Sequence, residues 1–307
     1  MRRLRRMGLV GGSVLVVAAL VVLAFVFPPS FLSSSPSEKP KPSSSSGEPV
    51  PVIVDEPLAR LAIAGDTGER NAAVEATAKS MQIESERQGE PYDALVITGD
   101  MIYPDGDADL TEESITEPFA RVLEDAVLVP VLGNHDVESG EGREIMDRLG
   151  RDADWYVEKI GPVRLIVLDS NRVGNERQMA WLRGVLAEKQ PADTWTIAAM
   201  HHPAYSAGEH GSSMNVRRAW TPLFEAADVP LVFAGHDHDY QRSNPQNGIT
   251  HVVTGGGSKL REAGREDFTA VSESVFHYVD LLVYKNRLEG RAIDHDGELV
   301  DSFTIPR

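Results

Sequence analysis

The 307-residue sequence contains no cysteine. This absence excludes thiol nucleophiles, thiolate metal sites and disulfide bonds, so any bound metal ion must be held by oxygen and nitrogen ligands. Positive charge is also scarce, because 30 lysine and arginine residues stand against 47 aspartate and glutamate residues and give a formal net charge of −17. An acidic chain argues against nucleic acid as an extended partner, although a small cationic pocket or bound metal ions can still attract a phosphorylated substrate.

Internal repeats are absent as well, and one low-complexity segment divides the chain. Residues 28–51 are dominated by Ser, Pro, Lys and Glu and contain too few apolar side chains to pack, so they are predicted to form a disordered linker. The composition, 41% hydrophobic and 25% charged, is that of a globular protein. We therefore predict a single domain over residues 52–307.

The N-terminus contains an uncharged stretch of twenty residues, from Gly8 to Phe27, which as a helix would be about 30 Å long and match a bilayer core. Four arginines precede it and place the N-terminus in the cytoplasm. Residues 1–27 are thus predicted to be a basic tip and a single-pass signal anchor in the cell membrane. The alternative is a cleaved signal peptide, which would leave the protein secreted. The length of the stretch and the lack of an Ala-x-Ala site directly after it favour the anchor.

Apolar runs that end in polar clusters alternate with helical patterns over the first part of the domain, which predicts an α/β fold. The predicted strands before Gly235 are Leu58 to Gly65, Ala94 to Gly99, Val127 to Gly133, Val163 to Leu168, Thr194 to Met200 and Val229 to Gly235. Helical spacing is found at Val74, Ala78 and Met81, and again at Met179, Leu182 and Leu186 with Asn175 as a candidate N-cap. The later predicted strands are Ile249 to Thr254, Val275 to Val283, Arg291 to Asp294 and Leu299 to Ile305.

Five of the predicted strands end in clusters of Asp, Asn and His. The clusters are Gly65-Asp66-Thr67-Gly68, Gly99-Asp100-Met101-Ile102-Tyr103, Gly133-Asn134-His135-Asp136, His201-His202-Pro203 and Gly235 to Arg242, which begins Gly-His-Asp-His. Ligands of open α/β sheets bind beyond the carboxyl ends of strands, where several loops meet. Each cluster alone has an ordinary explanation as a turn or a cap. Their occurrence in order within one domain predicts a shared metal site, to which the alternate residues His236 and His238 would point together.

These five motifs resemble those of the calcineurin-like metallophosphoesterases and, within them, the purple acid phosphatases. The resemblance covers Leu58 to Gly257. Many members of the wider superfamily begin with Asp-x-His, whereas this chain has Asp66-Thr67-Gly68 and so lacks that histidine. Purple acid phosphatases instead have a tyrosine in Gly-Asp-x-x-Tyr, and Tyr103 stands at that position. The fold implied is a four-layer sandwich of two mixed β-sheets flanked by helices, with the C-terminal strands joining the second sheet.

The resemblance also implies two metal ions and their ligands. The first ion would be bound by Asp66, Tyr103 and His238, Asp100 would bridge, and the second would be completed by Asn134, His201 and His236. His201 is chosen over His202 because it directly follows the predicted strand. Carboxylate, phenolate and imidazole ligands suit iron paired with iron, zinc or manganese. Two such cations acidify a bound water to hydroxide and neutralise charge on phosphoryl oxygens.

A histidine close to the metals would protonate the leaving oxygen. His135 is the first candidate by its place in the Gly-Asn-His-Asp motif, and Asp136 is predicted to orient or charge it. His202 and His210 are further candidates, since the small purple acid phosphatases have a later histidine that faces the substrate. For His210 an ordinary solvated loop residue is the alternative. Tyr240 and Arg242 complete a His-x-His-x-Tyr-x-Arg pattern, in which the arginine contacts substrate or braces the loop.

The sequence therefore predicts a metal-dependent phosphoric ester hydrolase that acts on small phosphomonoesters outside the cytoplasm, with an acid or near-neutral optimum. A phosphodiesterase acting on cyclic nucleotides, nucleotides or lipid head groups is the first alternative, because the same metal pair serves both reactions. A surface binding protein that keeps the fold without catalysis is the second, and the complete ligand set argues against it. Neither the oligomeric state nor the physiological substrate is predicted.

Overall fold

The structure is a computed structural model that describes residues 55–307. The predicted anchor and linker, residues 1–27 and 28–51, lie outside the described residues. Among the helices of residues 55–307, none combines the length and the apolar character that crossing a membrane requires.

Residues 55–307 form thirteen β-strands and six α-helices. The strands are β1 (Ala59–Ala64), β2 (Ala94–Ile97), β3 (Val127–Pro130), β4 (Tyr156–Ile160), β5 (Val163–Val167), β6 (Trp195–Ala199), β7 (Leu231–Ala234), β8 (Tyr240–Ser243), β9 (Thr250–Thr254), β10 (Thr269–Glu273), β11 (His277–Val283), β12 (Arg287–Asp294) and β13 (Leu299–Pro306). The helices are α1 (Ala72–Gln88), α2 (Asn134–Glu138), α3 (Gly142–Arg148), α4 (Glu176–Ala187), α5 (Met214–Ala219) and α6 (Thr221–Ala226).

The strands form two mixed sheets, as predicted. The six-stranded sheet has the order β13-β12-β11-β1-β2-β3, and the seven-stranded sheet has the order β10-β8-β9-β7-β6-β5-β4. In the first sheet β1, β2 and β3 are parallel, and in the second β5, β6, β7 and β9 are parallel. The remaining strands pair antiparallel at the sides of these parallel blocks.

Alternate side chains of the central strands enter different layers of the core. In β1, Leu61 and Ile63 pack between the two sheets, whereas Ala62 and Ala64 pack with α1 on the outer face of the six-stranded sheet. On the other side, Leu182 of α4 packs on the outer face of the seven-stranded sheet. Both faces of these strands are therefore buried, which explains their nearly continuous apolar sequences.

Part of the predicted topology is wrong. Of the C-terminal strands, β9 joins the seven-stranded sheet, but β11, β12 and β13 extend the six-stranded sheet because β11 pairs antiparallel with β1. A buried ion pair accompanies this pairing, since Arg60 of β1 donates from Nε to Oδ1 of Asp280 in β11 at 3.0 Å and from Nη2 to Oδ2 at 2.9 Å. Both residues are fully buried, and Asp280 also pairs with Arg291 of β12, so the pairing of β1 with β11 belongs to a buried network of charges.

Candidate metal centre

Five loops that leave the carboxyl ends of strands meet at one place between the two sheets. The loops after β1, β2 and β3 come from the six-stranded sheet, and those after β6 and β7 come from the seven-stranded sheet. The structure brings the seven predicted metal ligands together there: Asp66, Asp100, Tyr103, Asn134, His201, His236 and His238. Each sheet thus supplies part of a single cluster.

The first half of the cluster surrounds the phenol oxygen of Tyr103. Its Oη lies 3.4 Å from Oδ1 of Asp66, 3.2 Å from Oδ2 of Asp100 and 3.2 Å from Nε2 of His238. His238 Nε2 also lies 3.3 Å from Oδ1 of Asp66. All four side chains are buried, so four donor atoms converge in a space from which water is largely excluded.

The second half surrounds Nε2 of His201, which is fully buried. This nitrogen lies 3.1 Å from Oδ1 of Asn134, 3.2 Å from Nδ1 of His236 and 3.4 Å from Oδ2 of Asp100. The carboxylate of Asp100 therefore belongs to both halves, which is the position that a bridging ligand requires.

The backbone at these loops adopts conformations that non-glycine residues rarely occupy. The φ angles of Asp66, Asp100 and His236 are 57°, 50° and 74°. Left-handed conformations of this kind cost free energy and concentrate at functional sites. The neighbouring glycines are required for space: a Cβ on Gly133 would lie 2.1 Å from Oδ1 of Asp100, and one on Gly235 would lie 2.5 Å from Oδ2 of Asp66. These contacts explain why glycine precedes the polar residues at the strand ends.

Burial and mutual contact shift the pKa values of the carboxyl and imidazole groups in the cluster. Burial raises the pKa of Asp66. Burial alone would lower the pKa of His201, but the charge of Asp100 and its hydrogen bond raise it to about 10. Burial and the neighbouring His201 lower the pKa of His236 to about 2, so its imidazole is neutral and keeps a lone pair for coordination.

Two groups of three residues each bring their possible ligand atoms within 4.8 Å of one another. One group is Asp66, Asp100 and His201, and the other is His201, His202 and His236, so the two groups share His201. The predicted ligands add phenol and amide oxygens to these carboxylates and imidazoles, a set that suits iron, zinc or manganese.

The adjacent histidines 201 and 202 are held differently. Nδ1 of His201 lies 2.9 Å from the carbonyl oxygen of Thr98, which can only accept, so Nδ1 carries a hydrogen and Nε2 is the ring nitrogen that faces the cluster. Nδ1 of His202 lies 2.8 Å from Oγ of Ser170, and its ring centroid lies 4.5 Å from that of His236. His202 is half-buried and forms a wall of the site.

His135 lies on the first turn of α2, beside the cluster. Its backbone N–H donates to Oδ1 of Asp100 at 2.9 Å, and its ring centroid lies 4.7 Å from that of Tyr103. Nδ1 is in hydrogen-bond contact with the carbonyl oxygen of Pro104, so this nitrogen carries a hydrogen. Nε2 is therefore the ring nitrogen left to exchange a proton with a bound molecule.

Asp136 acts on the backbone instead of on the His135 ring, which corrects the predicted contact. Its Oδ2 accepts from the N–H of Gly133 at 2.8 Å, and its Oδ1 accepts from Met101 at 2.8 Å and Ile102 at 3.0 Å. The fully buried carboxylate thus joins the loops after β2 and β3, and it is a positioning residue for both.

His210 is exposed but close to the cluster. Its ring centroid lies 4.4 Å from that of His236, with the ring planes 30° apart. The backbone N–H of His210 donates to Oδ1 of the buried Asp237 at 2.7 Å, which fixes the loop at this point. The residue can therefore reach a molecule bound at the centre.

Two residues near the centre were not predicted. Ser170 follows β5 and holds His202, and the rule that polar residues after a strand face the ligand would have found it. Lys259 follows the glycines 255–257 after β9, and its Nζ lies 3.8 Å from the ring centroid of Tyr103 while it pairs with Glu69. No pattern in the sequence brings Lys259 to that ring, since the contact depends on the packing of the two sheets.

The role of Arg242, which the sequence leaves open, is that of a brace. Its Nε donates to Oδ2 of Asp301 in β13 at 2.6 Å, and Nη2 donates to Oδ1 at 3.1 Å. Tyr240 donates its hydroxyl to the same Asp301 at 2.7 Å. The pattern after His238 thus ties β8 of one sheet to β13 of the other.

The family model of the calcineurin-like phosphoesterases matches residues 59–240, which is more than half of the chain. The chain therefore belongs to this family, and the predicted resemblance is confirmed. Within the family it is similar to purple acid phosphatases. It is 25% identical over 219 residues to purple acid phosphatase 3 of Arabidopsis thaliana, which covers 61% of this chain and 60% of that protein. Tartrate-resistant acid phosphatase type 5 of Mus musculus is 25% identical over 262 residues, covering 72% of this chain and 80% of that protein.

An uncharacterized protein of Mycobacterium tuberculosis is 30% identical over 161 residues, covering 41% of this chain and 30% of that protein. The alignments thus span less than two thirds of the length of the Mycobacterium tuberculosis protein and of the Arabidopsis phosphatase. The purple acid phosphatase PPD1 of yellow lupin seeds has the same fold, with a TM-score of 0.70 at 22% identity over 81% of this chain and 54% of that chain. GAP50, the anchor in the inner membrane complex of Plasmodium, also has a TM-score of 0.70, at 16% identity over 81% of this chain and 88% of that chain.

Proposed function

We propose that residues 52–307 form a dinuclear-metal phosphoesterase that hydrolyses phosphomonoesters, as acid phosphatases do. The observation that carries this proposal is the position of Asp100, whose Oδ2 lies 3.2 Å from Oη of Tyr103 and 3.4 Å from Nε2 of His201. One carboxylate shared by two groups of donor atoms is suited to hold two cations at a fixed spacing. The family assignment and the phosphatases among the relatives support the same reaction.

Two metal ions in such a centre supply Lewis acidity, which activates water and neutralises phosphoryl charge. The chain's own residues supply the rest. His135 holds a hydrogen at Nδ1 against Pro104 and presents Nε2, so we assign it the transfer of a proton to the leaving oxygen. His202 and His210 flank His236 and are placed to bind phosphate oxygens as hydrogen-bond donors.

We further propose iron paired with iron, zinc or manganese as the metal content. The phenol of Tyr103 among two carboxylates and an imidazole supports a hard, highly charged ion in the first half of the centre. The second half has an amide oxygen and imidazoles, which suit a divalent ion.

The proposed location is extracytoplasmic. The uncharged stretch from Gly8 to Phe27 and the arginines before it support a single-pass anchor in the cell membrane, or a secreted protein if the segment is cleaved. The linker over residues 28–51 would then separate the catalytic domain from the membrane.

A substrate panel tests the proposed reaction. The full chain, solubilised in detergent and loaded with iron and zinc, is assayed against phenyl phosphate, alkyl phosphates, bis(p-nitrophenyl) phosphate and a cyclic nucleotide. Higher kcat/KM for the monoesters than for both diesters is the expected result. Faster cleavage of a diester would support the phosphodiesterase alternative, and failure to cleave any ester with both metals bound would support a binding protein without catalysis.

A further inference from the structure

A polar recess of about 400 Å³ opens beside the metal centre, on the side of the seven-stranded sheet. Its hydrogen-bonding wall is formed by Ser170, Asn171, Arg172, His202, Ser213 and Asn215. Val173 is the one branched apolar side chain among the residues that line it. The recess comes from the loops after β5 and β6 and the start of α5.

The recess is joined to the metal centre through two of its residues. His202 lines the recess, and its ring centroid lies 4.5 Å from that of His236. Asn171 also lines the recess, and its Nδ2 donates to the carbonyl oxygen of Gly133 at 3.1 Å, directly before Asn134. A molecule whose phosphate lies at the centre can therefore extend its remaining part past His202 into the recess.

The charge of the recess is already balanced. Nη1 of Arg172 lies 3.4 Å from Oδ2 of Asp154, and Nε lies 3.5 Å from Oδ2 of Asp169. Both carboxylates are largely or fully buried, and Asp154 also pairs with Arg143 at 2.6 Å. The guanidinium of Arg172 is thus already paired with carboxylates, which favours a neutral group over a second phosphate.

We propose that this recess binds the leaving group of the substrate and selects a neutral, hydroxylated one, such as glycerol or a sugar, over an apolar alkyl group of the same size. This inference rests on the proposed phosphomonoesterase function and names the substrate class of that site. The amide of Asn215 and the hydroxyl of Ser213 each offer a donor and an acceptor, which suits the paired donor and acceptor character of an alcohol. Asn171 offers its Oδ1 as an acceptor, because its Nδ2 donates to the carbonyl oxygens of Leu132 and Gly133.

Selection follows from what an apolar leaving group would displace. An alkyl chain in the recess would remove water from these amides and hydroxyls without replacing its hydrogen bonds. Each net hydrogen bond contributes about 0.5 to 1.5 kcal/mol, and sites built to bind hydroxyl groups reject analogues that lack them. Two such bonds correspond to a preference of about 5-fold to 150-fold in kcat/KM.

The test compares glycerol 3-phosphate with propyl phosphate. The two esters share the same carbon chain and differ in their hydroxyl groups. Because these hydroxyl groups also make glycerol the more acidic leaving alcohol, the preference is assigned to the recess by its decrease in the variants below. For the metal-loaded full chain we expect kcat/KM to be at least about fivefold higher for glycerol 3-phosphate.

Two variants connect the preference to the recess. Ser213→Ala and Asn215→Ala remove polar groups from its wall, and the double variant is expected to lower the ratio of the kcat/KM for glycerol 3-phosphate to that for propyl phosphate by about fivefold or more. Gln82→Ala is the matched control, because Gln82 lies on α1, bonds to Glu86 and lines a different groove. It should keep the wild-type ratio.

The outcomes distinguish a failure of the recess as a leaving-group site from a failure of the proposed phosphomonoesterase function. Hydrolysis of both esters with equal kcat/KM, or a ratio that the double variant leaves unchanged while its metal content and circular dichroism match the wild type, overturns the recess as a leaving-group site and leaves the phosphomonoesterase intact. If neither ester nor phenyl phosphate is hydrolysed, the proposed function itself fails and the inference fails with it.

Discussion

At the scale of single residues, Tyr103 separates a purple acid phosphatase centre from a general phosphoesterase centre. Its Oη lies within 3.4 Å of donor atoms of Asp66, Asp100 and His238. If the phenolate binds a ferric ion, the oxidised iron-loaded protein should show a visible charge-transfer band. Tyr103→Phe keeps the ring and removes the oxygen, so the band should vanish even in protein that retains iron.

Absorption spectroscopy with parallel iron analysis checks this expectation. The alternative is a tyrosine that packs beside the centre without coordinating. In that case the iron-loaded wild type would be colourless, or the phenylalanine variant would keep the same band. Either result would place the chain outside the purple acid phosphatases without affecting its membership of the wider family.

His135 can be tested by its effect on different leaving groups. His135→Ala should leave metal content largely intact, because the ring of His135 contacts Pro104 and Tyr103 and is not one of the predicted ligands. Turnover of an alkyl phosphate should fall by about 10² to 10⁴-fold, the usual contribution of general acid catalysis. The fall should be smaller for an aryl phosphate, whose leaving group hardly needs a proton. Equal losses for both esters would remove His135 from the acid role.

Most of the residues at the centre could be predicted because their chemistry is unusual and their position is local. A polar residue two or three positions after a buried strand can be found once the strand itself is predicted, and this holds for Asp66, Asp100 and His201. The function of Asp136 could not be predicted, since it depends on the backbone amides of a second loop. Lys259 meets Tyr103 only through packing across the domain.

At the scale of elements, the buried strands and the long helices were predicted and three strands of the seven-stranded sheet were missed. Asn175 caps α4 as expected, accepting from the N–H groups of Arg177 and Gln178. The strands β4, β8 and β10 lack a continuous apolar run, because they lie at the edge or antiparallel side of the seven-stranded sheet. The pairing of β11 with β1 could not be predicted, since nothing local shows that Arg60 and Asp280 meet.

Two buried histidines in neighbouring elements make stability depend on pH. Burial and the nearby Arg217 lower the pKa of His251 in β9 to about 3, and burial lowers the pKa of His277 in β11 to about 4. In the unfolded chain both titrate near 6.5. Their contribution is thus fully present above pH 6.5 and is lost as pH falls from 6.5 towards the folded values, by about 1.4 kcal/mol per pH unit for each histidine.

His251→Phe tests this contribution. The phenylalanine ring can keep the packing on Tyr205, whose ring centroid lies 4.6 Å from that of His251, and it cannot be protonated. Denaturant unfolding at pH 7.5, 6.0 and 4.5, at equal metal content, should show that the variant loses less stability on acidification than the wild type. If the free energy of unfolding depends on pH equally in the two proteins, His251 has the same pKa in the folded and the unfolded chain, which contradicts the expectation.

At the scale of the whole molecule, the metal centre joins the two sheets. Asp66, Asp100, Tyr103 and Asn134 follow strands of the six-stranded sheet, and His201, His236 and His238 follow strands of the seven-stranded sheet. Metal binding should therefore stabilise the packing of the sheets, since an ion that binds only the folded domain shifts the folding equilibrium by mass action. Asp100 lies between the two halves and should contribute most to this link.

Metal content and turnover of Asp100→Ala test whether the protein holds a dinuclear centre. The wild type should bind two metal ions per chain and hydrolyse phosphomonoesters, and Asp109→Ala, which removes an exposed carboxylate paired with Arg148, should behave like it. Removing the carboxylate of Asp100 leaves two cations in mutual repulsion, so Asp100→Ala should lose hydrolysis and bind less metal. Near-normal turnover with two metal ions per chain in Asp100→Ala would contradict the dinuclear centre.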